Sequence, residues 1–294
     1  MKLTNNASLP SPLIAAISND SYDRGECDFT VTELLQPPRA RALTRQHENE
    51  IEEDASDLIW RLIGQIGHSI LERAADPAYS EHRFFGKVAG KIVSGRADLH
   101  FDGGYYHLWD YKFTSAYAAK SGMKDEWTQQ INMLRWLAIS HLKSAMFAPY
   151  ITSANQISKG SICAIYRDWS KPKASREQDY PQHGVQVLPV NLWPLPQTLK
   201  FMEGRVRAHV DAERELPLCT DEERWATQEK WAVKKKGNKR AERLFDNEQT
   251  AIFAAKQWNM EVEHRPKEFK RCAIYCRAYP FCTQSNPNLM EHEI

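Results

Sequence analysis

The chain has 294 residues, of which 39 are Lys or Arg and 38 are Asp or Glu, so its formal net charge is +1. This length favours one large domain or two small ones. The near-neutral charge excludes a uniformly cationic chain, so any nucleic-acid binding must come from local basic patches. A hydrophobic content of 42% excludes a wholly disordered chain. No apolar run approaches the ~20 residues of a membrane helix, and the N-terminus lacks the apolar core of a secretion signal. We therefore expect a cytoplasmic protein without membrane contacts.

The spacing of apolar residues predicts helices and strands in a mixed order. Apolar residues recur three and four apart in the strongest predicted helix, after which the pattern changes to the period of a strand. In chain order we predict an irregular segment at 1–28, helices at 30–47 (broken at Pro37-Pro38) and 57–75, a strand, a glycine-containing turn and a strand at 81–93, strands at 94–101 and 105–112, a helix at 125–143, strands at 145–151 and 161–167, and helices at 195–215 and 240–260. This order indicates an α+β fold with one sheet across roughly residues 60–170.

One strand presents a carboxylate and a lysine on the same face. Asp110 and Lys112 are two residues apart, so their side chains leave the same side of a strand. A hairpin loop at 102–104 puts Asp98 opposite Leu108. Asp98 is then a diagonal neighbour of Asp110 on that face. Adjacent carboxylates repel each other, which a divalent cation with oxygen ligands relieves, and Lys112 would orient water or neutralise phosphate charge beside it.

The strongest predicted helix carries a glycine and a histidine on one face. Gly64 and His68 are four residues apart. Glycine inside a helix costs about 1 kcal/mol relative to alanine, so we expect another group to approach closely beside His68. A single helical histidine is more often packed in the core than a metal ligand. We therefore interpret His68 together with the other motifs and not by itself.

Together these segments resemble the PD-(D/E)xK phosphodiesterase superfamily, in its RecB-like nuclease branch. That branch has a helix with G-x3-H, a strand with Glu, a G-x-x-D strand, a D-x-K strand and a helix with Q-x3-Y. The matching residues here are Gly64 and His68, Glu81 (with Glu72 as the alternative), Gly95 and Asp98, Asp110 and Lys112, and Gln130. Leu134 stands where the branch has tyrosine, a departure in the helix that contacts DNA and not in the metal site.

The resemblance implies a restriction-endonuclease-like α+β core with a mixed central sheet flanked by helices. The implied core covers residues 29–170, after the irregular lead at 1–28 and before a helical elaboration at 171–294 whose cysteine segment packs back on the core. It also implies Mg²⁺- or Mn²⁺-dependent hydrolysis of DNA phosphodiester bonds. The implied roles are metal ligation by His68, Asp98, Asp110 and the carbonyl of Tyr111, second-metal or water contact by Glu81, water activation by Lys112, and DNA backbone contact by Gln130.

By analogy with the same branch, we expect an exonuclease rather than an endonuclease. Its expected partners are DNA and a recombination or repair protein, in a bacterial cell or a phage-infected host. Two alternatives stay open. One is a nuclease of the CRISPR-adaptation type that trims DNA ends, and the other is a DNA-binding module without catalysis.

Three of the six cysteines lie close together near the C-terminus. They are Cys272, Cys276 and Cys282, with the spacing C-x3-C-x5-C. A disulfide framework is not expected in a reducing compartment, where clustered thiols more often bind a metal. Some members of the branch hold an iron–sulfur cluster with a similar triplet and an N-terminal cysteine. Here Pro37 occupies that position, so Cys27 would supply the fourth thiolate or His47 would complete a zinc site; three free thiols are the remaining alternative.

A basic segment at 230–243 is the second feature outside the predicted core. It contains seven Lys or Arg residues and one Glu. The residues we expect to bind DNA phosphates are Lys234, Lys235, Lys236, Lys239 and Arg240. A run of charge is often only a solvated surface, and the alternative is a phosphate clamp with a steep salt dependence of binding. Most of the nine tryptophans are expected in the core, although one near the site could stack on a base.

Overall fold

The computed structural model describes residues 2–19, 23–102, 105–144 and 157–286. The predicted strand at 145–151 lies outside these residues. The chain forms two compact units, the first made of Met1–Gln36 with Glu48–Glu215 and the second of Pro37–His47 with Leu216–Ile294. The expected boundary at residue 170 is therefore wrong, because the first unit continues through a further strand and helix. Among the described residues, no helix is both long and apolar enough to cross a bilayer.

The described residues include eleven strands and eight α-helices. The strands are β1 (Lys2–Thr4), β2 (Phe29–Thr30), β3 (Glu52–Asp54), β4 (Ser80–Val88), β5 (Lys91–Asp102), β6 (Tyr105–Thr114), β7 (Lys159–Tyr166), β8 (Val185–Pro189), β9 (Lys230–Lys234), β10 (Arg243–Phe245) and β11 (Glu261–Arg265). The helices are α1 (Ser11–Ser18), α2 (Val31–Leu34), α3 (Pro38–Gln46), α4 (Ile59–Ala74), α5 (Asp125–Ser144), α6 (Lys171–Ala174), α7 (Leu195–Asp211) and α8 (Glu248–Trp258).

A six-stranded mixed sheet is the centre of the first unit. Its order is β2-β5-β6-β7-β8, with β4 also paired to β5. The β6–β7 and β2–β5 pairs are parallel, whereas β4–β5, β5–β6 and β7–β8 are antiparallel. With helices packed on it, this sheet confirms the predicted α+β class with a mixed central sheet.

Helix α5 is the main helix packed on this sheet. Its Ile131, Leu134 and Leu137 are at most 1% exposed, because apolar residues at three- and four-residue spacing form one buried stripe. Gly95 of β5 makes room for it: a Cβ there would lie 2.6 Å from Leu134 and 2.9 Å from Val31. The glycine of the G-x-x-D motif thus permits close packing of helix on strand.

Helix α4 is amphipathic but has no fully buried residue. Its close approach to the sheet occurs at Gly67, where a Cβ would lie 2.0 Å from the ring of Phe113 in β6. A Cβ at Gly64 would have no heavy atom within 4 Å from the rest of the described chain, apart from its own helix backbone and chain neighbours. The expectation that Gly64 marks the close contact beside His68 is therefore wrong. The helix face that contacts β6 contains Gly67, three residues after Gly64, and not Gly64 itself.

Several predicted elements differ from the structure. The segment at 1–28 contains β1 and α1, and β1 pairs in parallel with β3. The strand, turn and strand predicted at 81–93 correspond to β4, a turn at Ala89 and Gly90, and the start of β5, which continues without a break through the strand predicted at 94–101. The proline pair does divide the helix predicted at 30–47, since α3 begins at Pro38, where a missing N–H costs nothing. The helix predicted at 240–260 is confined to α8, and β10 precedes it.

The second unit contains a three-stranded antiparallel sheet in the order β10-β9-β11. Helix α8 packs on it through Ala251 and Ala255, which are buried with Val233 of β9. A second small cluster joins Leu43 of α3 to Ala278 and Cys282. This unit therefore has its own apolar contacts.

We expect opposite effects from alanine at the two helical glycines. Gly67→Ala should destabilise the protein by roughly 1–3 kcal/mol, because its methyl group would overlap the Phe113 ring. Gly64→Ala should stabilise it by about 0.5–1 kcal/mol, since the position is open and alanine is the better helix former. Urea unfolding of both variants measures the difference. Equal stability of the two would contradict the packing of α4 on β6.

Candidate metal centre and groove

The pairing of β5 with β6 places two aspartates side by side. Leu99 pairs with Trp109 and Phe101 with Tyr106, with a register shift between them. One residue beyond the first pair, Asp98 comes across from Asp110. The expected pairing of Asp98 with Leu108 is wrong by two residues: the pairing of Asp102 with Tyr105 at the turn shifts the register by one, and the bulge shifts it by one more. The two aspartates are therefore closer neighbours than a diagonal pair.

A histidine and two carboxylates form a group that could hold a metal ion. His68 Nδ1 lies 3.7 Å from Glu81 Oε1 and 3.5 Å from Asp98 Oδ1. One ligand atom from each of the three residues lies within 4.8 Å of the other two. The side chains of Glu81 and Asp98 are 9% and 12% exposed, whereas that of His68 is 32% exposed. Imidazole and carboxylate oxygens are suitable ligands for a divalent cation such as Mn²⁺.

The backbone at Glu81 is held in a left-handed conformation. Its φ is +50°, which is uncommon for a residue other than glycine. The flanking residues Ser80 and His82 pair with Leu99 and Ala97 of β5, so Glu81 lies across from Asp98. Such a conformation costs roughly 1–3 kcal/mol and is found at functional sites.

Arg96, which the sequence did not single out, orients the Glu81 carboxylate. Its Nε lies 2.8 Å from Glu81 Oε2, while the other oxygen faces His68. Arg96 is the residue after the glycine of the G-x-x-D motif, and a search for charged residues within that motif would have found it. The alternative residue Glu72 lies on α4 and lines the same groove, but it does not belong to the three-ligand group.

Asp110, Lys112 and Gln130 form a second, connected group. Lys112 Nζ lies 2.7 Å from Asp110 Oδ2 and donates to Gln130 Oε1 at 2.9 Å. The Gln130 amide in turn donates to Asp110 Oδ1 at 2.7 Å. Asp110 is 3% exposed, so this pairing compensates a buried charge. The predicted residues of the D-x-K strand and of the following helix therefore meet.

The two groups are joined through β6. The backbone N–H of Tyr111 donates to Asp98 Oδ2 at 2.6 Å, which fixes the Asp98 carboxylate beside Asp110. The carbonyl of Tyr111 stays a predicted metal ligand. The structure differs from the implied ligand set in one respect, because Glu81 rather than Asp110 belongs to the three-ligand group with His68 and Asp98.

Burial and the crowding of acids raise the pKa of Asp98. Burial, followed by the negative charge of Asp110, raises the pKa of the Asp98 carboxyl to about 7. The Glu81 hydrogen bond and the nearby aspartates raise the pKa of His68 above its ordinary value. A divalent cation would replace these protons, because its charge relieves the same repulsion.

All of these side chains line one groove of about 880 Å³. The groove also contains side chains of α4, among them Trp60 and Ile70, which are 56% and 52% exposed. The guanidinium of Arg167 lies 4.0 Å from the centre of the Trp60 ring. An exposed indole with a cation on it suits stacking of a nucleic-acid base. Packing was expected for most tryptophans of the predicted core elements, Trp60 among them. Trp60 is instead exposed in the groove, which keeps open the alternative that one tryptophan near the site stacks on a base.

Four cysteines line a separate small cavity within the second unit. They are Cys219, Cys272, Cys276 and Cys282. Their sulfur atoms are spread more widely than the ligand atoms of the His68 group, since no three of them lie within 4.8 Å among the described residues. Cys219 is the residue that sequence reasoning missed. It lies 53 residues before Cys272, too far for spacing to connect it to the triplet.

The two residues expected to complete the cysteine triplet have other surroundings. Cys27 accepts a hydrogen bond from the Ser94 hydroxyl at 3.2 Å within the first unit. His47 stacks on Phe281, with ring centres 4.1 Å apart, and does not line the cavity. Neither residue therefore lies with the triplet: Cys27 belongs to the first unit, and His47, although in the second unit, is not among the residues that line the cavity, whereas Cys219 is.

A buried arginine contacts this cysteine cluster. Arg39 of α3 is 6% exposed, and its Nε lies 3.3 Å from Cys282 Sγ. Burial is the largest influence and opposes ionisation of Cys282, but the hydrogen bond and charge of Arg39, together with backbone hydrogen bonds from Gln284 and Ser285, leave the pKa of this thiol below its ordinary value. Burial and nearby acidic groups raise the pKa of Cys219 to about 12.

The predicted DNA-binding lysines and arginine are not equivalent. Lys234 lies in β9 and contacts Glu261 at 3.3 Å and Glu263 at 2.5 Å, so its charge is balanced within the sheet. Lys235 has a longer contact of 4.0 Å with Glu242. The exposed residues without a carboxylate partner among the described residues are Lys236, Lys239 and Arg240. They surround Gly237, whose φ of +81° permits the turn between β9 and β10.

Comparison with known proteins adds little to this geometry. No protein-family model and no curated protein matches the chain. The chain is similar to a solved structure entitled "Crystal structure of SSO0001", with a TM-score of 0.41 and 17% identity over 66% of this chain and 81% of that one. A likeness of this size carries no argument about function, so the site is assigned from its own residues.

The raised pKa of Asp98 predicts how stability depends on pH without metal. Between the ordinary pKa of an aspartate and about 7, the folded protein binds more protons than the unfolded chain. The stability of the metal-free protein should therefore fall as the pH rises through this window, by at most roughly 4 kcal/mol, and then level off. Asp98→Asn should lose this dependence and be more stable than the parent at pH 8. Thermal unfolding in EDTA at pH 5 and pH 8 measures it, and an equal pH response of both proteins would contradict the buried carboxylate pair.

Proposed function

We propose that the protein is a metal-dependent deoxyribonuclease that hydrolyses DNA phosphodiester bonds, as members of the RecB-like PD-(D/E)xK branch do. The observation that carries the proposal is the meeting of His68, Glu81 and Asp98 beside the Asp110–Lys112–Gln130 group in one groove. A fold alone does not indicate an activity. The groups themselves support the proposal, because two buried carboxylates and an imidazole can bind a metal ion and a partly exposed lysine beside them can act on a phosphate or on water.

The residues fit a divalent cation. Burial and the neighbouring charge of Asp110 raise the pKa of the Asp98 carboxyl to about 7 in the metal-free protein, and Glu81 is held in a strained backbone conformation. The repulsion between the carboxylates is relieved when a cation takes up the negative charge. His68, Glu81 and Asp98 would hold the cation, with Asp110 next to them. A bound Mg²⁺ or Mn²⁺ supplies charge stabilisation at the phosphate and lowers the pKa of water.

The protein residues have separate roles around the phosphate. Lys112 is 24% exposed and reaches the groove while its ammonium stays on Asp110, so it can donate to water or to a phosphate oxygen. Gln130 fixes both partners through its two amide atoms. The rigid strand and helix that carry these groups keep them in place before substrate binds, which reduces the reorganisation during the reaction.

The groove suits a DNA strand rather than a small neutral substrate. Trp60 offers a face for a base, with the Arg167 cation on its ring. Arg96 and Lys112 line the groove with the carboxylates and would supply positive charge to a phosphodiester. Acting on DNA ends, as an exonuclease in recombination, repair or phage DNA metabolism, remains part of the proposal by analogy with the branch.

We expect Asp110→Asn and Lys112→Met to reduce DNA cleavage by roughly 10³-fold with little change in folding, because each removes a charge at the reacting phosphate. The matched control is Lys91→Met, the same change at an exposed lysine of β5 whose ion pair is with Asp28. The assay uses end-labelled linear duplex, single-stranded and closed circular DNA with Mg²⁺, Mn²⁺ or EDTA.

The three substrates distinguish the possible activities. Loss of label from linear DNA with intact circles indicates an exonuclease, and cut circles indicate an endonuclease. Parental cleavage rates in a folded Asp110→Asn variant would disprove the proposed site. DNA binding by the parent without cleavage in either metal would leave only a binding module.

We also expect the β9–β10 turn to contribute to DNA binding through its unpaired charges. Lys236→Gln, Lys239→Gln and Arg240→Gln together should make the slope of log K against log salt less steep, by the amount expected for the loss of about three phosphate contacts. The control with the same change of net charge is Lys171→Gln, Lys173→Gln and Arg176→Gln, at exposed positions in and just after α6. Fluorescence anisotropy from 50 to 300 mM salt, as an approximate range, measures both slopes. Equal slopes for the two triple variants would mean that the turn is only a solvated surface.

A further inference from the structure

The cavity lined by four cysteines is separate from the hydrolytic site and has no part in phosphodiester hydrolysis as proposed above. Cys272, Cys276 and Cys282 come from the C-terminal segment, and Cys219 comes from the loop that follows α7. Cys282 is buried, and the other three are partly buried. Four cysteines that converge from two segments of one unit need a reason beyond packing, since a single small apolar residue would fill each place as well.

Arg39 supplies an independent observation that points to negative charge at the cavity. Its guanidinium is buried and donates to Cys282 Sγ at 3.3 Å, to the carbonyls of Leu216 and Pro217 at 3.3 Å each, and to the Thr283 hydroxyl at 2.9 Å. Among the described residues, no carboxylate contacts it. A buried charge is costly unless an opposite charge is close, and neutral thiols do not provide one.

Thiolates would balance Arg39, but several thiolates cannot lie together without a cation between them. A metal centre with four thiolate ligands meets both requirements, because it carries net negative charge and binds the sulfur atoms. We propose that Cys219 is the fourth ligand of such a centre, with Cys272, Cys276 and Cys282, and that Arg39 is its counter-charge.

The spacing of the sulfur atoms favours a centre of several atoms. A tetrahedral zinc ion with Zn–S distances of 2.3 Å would hold its sulfur ligands about 3.8 Å apart. No three of the four sulfurs here lie within 4.8 Å among the described residues. An iron–sulfur cluster, which binds thiolates at separate iron atoms, fits this wider arrangement, and metal analysis distinguishes it from zinc bound by the same four residues.

The test compares metal content after anaerobic purification of the full chain. The parent and Cys27→Ser should each contain one centre per chain, measured as iron with acid-labile sulfide and absorbance near 400 nm, or as zinc. Cys219→Ser should lose at least four-fifths of the metal, as should Cys272→Ser. Cys27→Ser is the matched control, because it makes the same change at a cysteine that does not line the cavity. Full metal content in Cys219→Ser, or a parent that stays metal-free after reconstitution with iron and sulfide and with zinc, would overturn the proposal.

A second measurement does not depend on whether Cys219→Ser folds. In the parent protein, the four cavity cysteines should be protected together from alkylation and become reactive together after chelation, as mass spectrometry of the labelled peptides would show. Alkylation of Cys219 while the other three stay protected would disprove its role as a ligand. Arg39→Met should lose metal to the chelator faster than Arg39→Lys, because only the lysine retains the counter-charge.

Discussion

The pairing of β5 with β6 is the constraint on which the proposed site depends. By shifting the register at the bulge, it brings Asp98 across from Asp110, two carboxylates that are both largely buried. Two negative charges so close together repel each other unless they are compensated. The protein supplies this compensation in two ways, through Lys112 and Gln130 on Asp110 and through His68 on Asp98. The arrangement is electrostatically incomplete, and a cation would complete it.

The elements around this hairpin have distinct structural functions. Helix α5 is held on the sheet by a buried apolar stripe, so Gln130 is fixed as accurately as the core itself. Helix α4 has no buried residue and contacts β6 at Gly67, with His68 next in the chain. The side of the site with Asp110 and Gln130 is therefore held by buried apolar packing. The side with His68 is held by a helix that stays partly exposed. An exposed α4 face with Trp60 is available to a substrate because it is not used to stabilise the fold.

The second unit also contains a buried charge without a full counter-charge, but there the charge is positive. There a buried guanidinium lies among neutral sulfur atoms, whereas the first unit crowds carboxylates together. Both places hold charges that the described side chains do not fully balance. In each, a metal group with suitable ligands would remove the cost, by adding positive charge in the first unit and by ionising the thiols in the second.

The sequence by itself determined the local features. Residue spacing predicted α4 and α5, the strands that carry Asp98, Asp110 and Lys112, and the α+β class, because helix and strand periods are written in neighbouring residues. Tertiary structure alone decided the register at the bulge, the contact at Gly67 rather than Gly64, the Glu81–Arg96 pair and the place of Cys219. These features depend on contacts between residues that are far apart in the chain. The free energy of packing selects such contacts, and it leaves no repeating pattern in the sequence from which they could be predicted.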